Sequence, residues 1–134
     1  MSKQKEGSYQ ERVQTYITRR GGWVMKVHGS MIGVPGIPDL LCCYKGFFIG
    51  IEAKVGTNKP SEQQGIQMRK INRAGGFTIV IWNDIQDLEL LLTFIDDLEL
   101  TSEYFNNCSY SICNIQKGFE EYCQIKKIDD GRKW

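Results

Sequence analysis

The chain has 134 residues, enough for one domain with a tail, and its 41% hydrophobic and 25% charged residues match globular proteins, which excludes a disordered or collagen-like chain. Net charge is +1, yet residues 1–76 carry 12 Lys/Arg against 5 Asp/Glu (+7), and residues 77–134 carry 5 against 11 (−6). A basic first part suits a polyanionic partner, and no apolar run approaches the roughly 20 residues of a membrane helix. Residues 1–6 have no apolar segment, so no signal peptide is expected. Five cysteines without a repeated C-x-x-C pair make a poor disulfide framework and a poor zinc site. Cys42 and Cys43 stand in an apolar run and read as buried thiols; the expected setting is reducing, intracellular and cytoplasmic. One histidine, His28, excludes a His-rich metal site.

Residues 5–19 read as a helix, with Tyr9, Val13, Tyr16 and Ile17 on one face. Gly21-Gly22 ends it, and Trp23 to Val27 is a short β-like run. Residues 28–38 are a loop rich in Gly, Pro and Ser. Asp39–Tyr44 and Phe47–Val55 read as a hairpin around the Lys45-Gly46 turn. Ser61 is the expected N-cap of a helix over 62–74, which Gly75-Gly76 stops. Phe77–Trp82 is a continuous apolar run, expected as a buried strand, and Asn83 or Asp84 caps a helix running to about residue 98. Trp23, Phe47, Phe77 and Trp82 are expected in the core. The order implies an α/β domain over 1–98, a mixed sheet flanked by helices. Residues 99–134 form a C-terminal extension, with a strand expected at 110–115 and a helix at 118–127.

The chemistry concentrates in Pro38-Asp39, then twelve residues, then Glu52-Ala53-Lys54. Alternation places Phe48, Gly50, Glu52 and Lys54 on one face of the second hairpin strand. Gly50 leaves room there for something to approach. Asp39 opens the neighbouring strand, so hairpin pairing brings it close to Glu52. Two adjacent carboxylates repel unless a cation lies between them, and oxygen donors select hard cations such as Mg²⁺ or Mn²⁺. A lysine beside them suits phosphodiester hydrolysis. A surface salt bridge at a strand end is the plain alternative.

Pro38-Asp39…Glu52-Ala53-Lys54 between two helices resembles the PD-(D/E)XK nuclease superfamily, the restriction-endonuclease-like class. Gly36-Ile37-Pro38-Asp39-Leu40-Leu41 with Phe48-Ile49-Gly50-Ile51-Glu52-Ala53-Lys54 resembles more specifically the VRR-NUC (virus-type replication-repair nuclease) family. Three further segments agree: Ser61-Glu62-Gln63-Gln64, Ala74-Gly75-Gly76 before an apolar strand, and Glu6-x-x-Tyr9-Gln10. The resemblance covers roughly residues 5–85.

It implies a metal-dependent DNA endonuclease. Asp39, Glu52 and the Ala53 carbonyl would hold Mg²⁺ or Mn²⁺, with Lys54 positioning the water. Of the first helix's carboxylates, Glu6 lies at the edge of the apolar face and Glu11 on the opposite side. Glu6 is therefore the expected third carboxylate, reaching the metal directly or through water. Gln64 matches the family's supporting glutamine, with Gln63 one step away on the helix. Lys26, His28 and Ser30 are expected against the DNA backbone, and Lys59, Arg69 and Arg73 would form a basic rim. The resemblance further implies a homodimer acting on branched DNA such as a Holliday junction, in a phage or prophage setting. A flap or nick nuclease within a repair complex, and a non-catalytic DNA-binding module, are the alternatives.

Overall fold

The computed structural model describes residues 5–28 and 33–100, without the side chains of residues 99 and 100. Ser30 and the strand and helix expected beyond residue 100 lie outside the described residues. The chain divides into two compact units, Met1–Leu88 and Glu89–Trp134, and the candidate site belongs entirely to the first.

The elements are α1 (Glu6–Arg19), β1 (Trp23–Lys26), β2 (Leu40–Tyr44), β3 (Phe47–Lys54), α2 (Glu62–Arg73), β4 (Phe77–Trp82) and α3 (Gln86–Leu100). They follow the expected order, and no bound shifts by more than two residues. The four strands form one mixed sheet in the order β1-β2-β3-β4. β1, β2 and β3 run antiparallel, whereas β3 and β4 are parallel. A tight turn suffices for β2–β3: Lys45 and Gly46 both have positive φ (49° and 86°), as a type I′ turn requires. The parallel pair needs a crossover, which α2 supplies.

α1 lies against β1 and β3, burying Tyr9, Val13 and Ile17, the predicted apolar face. From Ile49 to Lys54, β3 is buried on both faces, as befits a strand central in the sheet. Leu88, Leu91, Leu92 and Ile95 are the buried positions of α3. Among the described residues no helix is long and apolar enough to cross a membrane.

Four expectations need correction. Gly50 does leave space over β3, but protein fills it: a Cβ there would stand 2.9 Å from Pro38 Cγ and 3.1 Å from Ile71 Cδ1. The glycine admits the proline before Asp39 and thereby sets the height of Asp39 above the sheet. Cys43 is exposed, because on the short strand β2 it alternates with buried Cys42 and Tyr44. β4 is buried only at Phe77, Ile79 and Ile81, with Thr78 and Val80 half-buried. Trp23 and Trp82 are 57% and 41% exposed rather than core residues. Trp23 begins the edge strand β1, and Trp82 uses its indole N–H outside the sheet, donating to the Asn58 carbonyl at 2.7 Å.

Candidate active site

Asp39 immediately precedes β2, and its carbonyl accepts from the Val27 N–H at 2.9 Å. The Leu40–Ile51 pairing of the hairpin, extended by one step, sets Asp39 opposite Glu52. The Asp39 carboxylate is richly bonded. Oδ2 accepts from the Ala53 backbone N–H at 3.0 Å and lies 3.0 Å from Lys54 Nζ. Oδ1 accepts from Lys54 Nζ and from Gln64 Nε2, each at 3.3 Å.

Glu52 is the opposite case. Its side chain is 0% exposed, and neither Oε1 nor Oε2 has a hydrogen-bond partner. Burial, and next the charge of Asp39, push its carboxyl up to about 8, against the pull of Lys54. A buried carboxylate without hydrogen bonds, with only the Lys54 ammonium 3.8 Å away, costs stability when charged unless a further cation joins it. The donors on hand are carboxylate and carbonyl oxygens, the set that hard divalent cations prefer. Among the described residues no three His, Cys, Asp or Glu side chains are grouped closely enough to hold an ion by themselves. Mg²⁺ commonly needs only one or two carboxylates and keeps several waters, so Asp39, Glu52 and the Ala53 carbonyl fit it.

Lys54 Nζ stands among three carboxylates: 3.0 Å from Asp39 Oδ2, 3.8 Å from Glu52 Oε2 and 3.9 Å from Glu6 Oε1. The structure thus brings Glu6 to the site, while Glu11 is exposed. Glu6 is steadied by a residue that the sequence reading passed over: Asn58 Nδ2 donates to Glu6 Oε2 at 3.0 Å. Asn58 belongs to the loop between β3 and α2, which the Trp82 indole and Asn83 fasten. Asn83 takes a left-handed backbone (φ 61°), and its Oδ1 accepts from the Gly56 N–H at 3.2 Å. A polar residue in a turn-rich loop gave no signal of this role.

Gln10 is the second missed neighbour. It is buried, and its Nε2 donates to the Ala53 carbonyl at 3.3 Å. Its signal was a glutamine at the edge of an otherwise apolar helix face.

Gln64 rather than Gln63 reaches the site. Gln64 completes a capping box with Ser61: its N–H donates to Ser61 Oγ at 3.1 Å, and its Oε1 accepts from the Ser61 N–H at 3.0 Å. With Oε1 held in the cap, the amide must present Nε2 to Asp39. Gln63 is exposed, and its backbone abuts Gly36. Gly36 has φ +84°, and a Cβ there would collide with the Gln63 carbonyl, so this glycine lets the loop before Asp39 lie against the start of α2.

The expected DNA contacts lie at the surface to different degrees. His28, Lys59, Arg69 and Arg73 are exposed and Lys26 is half-buried. Cys42 is no nucleophile, since burial pushes its thiol up to about 12.

No family model matches the sequence, and no curated protein matches it. Solved structures do. A structure described as a VRR_NUC domain superposes with a TM-score of 0.54 at 26% identity, over 66% of this chain and 94% of that one. In fold and, at 26% identity, in sequence, the chain is similar to that VRR_NUC domain. Hjc, a Holliday junction resolvase from Archaeoglobus fulgidus, superposes with a TM-score of 0.47 at 16% identity, over 57% of this chain and 66% of Hjc. On this mixed α/β fold the Asp39 carboxylate bonds Lys54 and Gln64, and Glu52 Oε2 lies 3.8 Å from the same lysine.

Proposed function

We propose that this domain is a metal-dependent endonuclease that hydrolyses phosphodiester bonds in DNA, with branched DNA as its substrate. The observation that carries the reading is Glu52: a fully buried carboxylate with no hydrogen bond to either oxygen, beside a second carboxylate and 3.8 Å from the Lys54 ammonium.

Asp39, Glu52 and the Ala53 carbonyl would hold Mg²⁺ or Mn²⁺, which when bound would supply positive charge against the charge that builds on the phosphate. Gln64 and the Ala53 N–H hold the Asp39 carboxylate in one orientation. Gln10 fixes the Ala53 carbonyl. Lys54 orients the attacking water, and its ammonium stabilises negative charge on the reacting phosphate. The water oxygen bonds to phosphorus as one ester P–O bond breaks; the water loses a proton to solvent and the leaving sugar oxygen takes one up from solvent. Glu6, held by Asn58, limits where Lys54 Nζ can point. Lys26, His28, Lys59, Arg69 and Arg73 contact phosphates outside the reacting centre. A C₂ homodimer would present two such sites to a symmetric four-way junction, one for each of two paired incisions.

The test uses a labelled four-way junction and a linear duplex of the same sequence, with Mn²⁺, Mg²⁺ or EDTA, and the Asp39→Ala variant alongside. Paired nicks near the branch that need metal and vanish in the variant are expected. Equal cutting of both DNAs would remove the branch selectivity and keep the nuclease. Absence of cutting by folded protein in either metal would overturn the nuclease.

A further inference from the structure

A second feature adjoins the carboxylates. A cleft of about 250 Å³ opens between the loop before β2 and the start of α2. Its walls are Val27, Val34, Pro35, Ile37 and Pro38, and Asp39, Ser61 and Gln64 form its polar side. Two of these, Asp39 and Gln64, are the hydrogen-bonded pair of the candidate site, so whatever fills the cleft touches the reacting centre. Gly36 builds the cleft by letting its loop press against the Gln63 backbone.

The lining decides the class of ligand. Among the described residues no Lys or Arg lines it, and the Asp39 carboxylate does, so a phosphate is disfavoured on charge. Aliphatic side chains and prolines suit the faces of a flat, neutral ring. The volume is below that of pockets for drug-sized molecules, which begin at about 300 Å³. The Ser61 hydroxyl is used in the cap as an acceptor, so its proton is available to a ring nitrogen or an exocyclic oxygen. Both groups occur widely among the bases, so such a contact is tolerant of sequence.

We infer that this cleft receives one unstacked nucleobase next to the scissile phosphate. The inference rests on the nuclease reading and supplies a physical origin for its branch selectivity. Drawing a base out of an intact duplex costs its pairing and stacking, and the cost is least where these are already interrupted. A branch point meets that condition, so the site is reached there first.

Val34 is 45% exposed and takes no part in the carboxylate cluster, so Val34→Trp narrows the cleft without disturbing the core. The first arm measures cleavage of a four-way junction in Mn²⁺. Val34→Trp is expected to cut at least tenfold more slowly than the parent chain. A junction carrying an abasic nucleotide at the position flanking the incision should restore its rate. Equal slowing on intact and abasic junctions, or no slowing at all, overturns the inference.

The second arm needs no catalysis. 2-Aminopurine is placed in turn at each position near the branch, and its fluorescence is read on binding in EDTA. One position should brighten several-fold with the parent chain and stay dim with Val34→Trp. If the parent chain cuts nothing yet one position brightens in this way, the nuclease reading fails and the base site stands. If no position brightens, or the variant brightens the same position equally, the base site fails whether or not DNA is cut.

Discussion

Asp39, at the entrance to β2, and Glu52, near the end of β3, are paired carboxylates in opposite surroundings. Asp39 accepts from a backbone N–H, a lysine and a glutamine; Glu52 accepts from nothing and is fully buried. The first is held in one orientation by these donors. The second costs the fold stability when charged, and a bound cation offsets that cost. That contrast is what supports the proposed divalent cation.

Substitutions should separate the two. Asp39→Asn removes charge from the well-bonded member; cleavage should fall by about 10³-fold, and the metal-free protein should lose stability by about 1–3 kcal/mol. A gel assay and urea unfolding check both. Glu52→Gln should abolish cleavage to a similar degree yet stabilise the metal-free protein by about 1–3 kcal/mol, seen as a higher midpoint in thermal unfolding. If both variants destabilise alike, the contrast between the carboxylates is wrong.

The pH dependence follows from the same contrast. The Glu52 carboxyl is raised from 4.5 to about 8 in the folded chain, so between those values the folded state holds a proton that the unfolded state has released. Its contribution to stability is therefore greatest below pH 4.5, falls as pH rises, and is fully lost above about 8. Metal-free protein should weaken relative to Glu52→Gln from pH 5 to pH 8.5. Parallel curves for the two proteins would contradict the shift.

Gln64→Ala should have a smaller effect. It cuts one bond to Asp39 and opens the α2 cap, costing about 1 kcal/mol in stability and roughly tenfold in rate. Asn58→Ala acts at one remove, freeing Glu6, and should slow cleavage only a few-fold (roughly 1 kcal/mol of barrier or less). Single-turnover rates rank the two, and the reverse order would mean that Glu6 matters more than the Asp39 orientation.

The fold was largely legible in the sequence because its signals are local. The Ser61 cap, the Lys45-Gly46 turn and the alternation of β3 each sit within a few residues. So was the convergence of Asp39, Glu52 and Lys54, since hairpin pairing dictates it. What the sequence hid depends on contacts between distant segments. Asn58 reaches Glu6 across 52 positions, and Gln10 reaches Ala53 across 43. The exposure of Trp23 depends on β1 being the outer strand, and the use of Gly50 on Pro38 lying above it. Composition alone assigns both tryptophans to a core, and only the sheet order decides otherwise.

If Glu52, which has no hydrogen bond to either oxygen, is there to bind a divalent cation, the metal should stabilise the fold through it. Thermal unfolding of the parent chain and of Glu52→Gln at pH 7.5, each with EDTA and with Mn²⁺, tests it without any assumption about substrate. The midpoint of the parent chain should rise with Mn²⁺, while that of Glu52→Gln, already higher in EDTA, should stay where it is. An equal rise in both proteins, or none in the parent chain, would contradict the account.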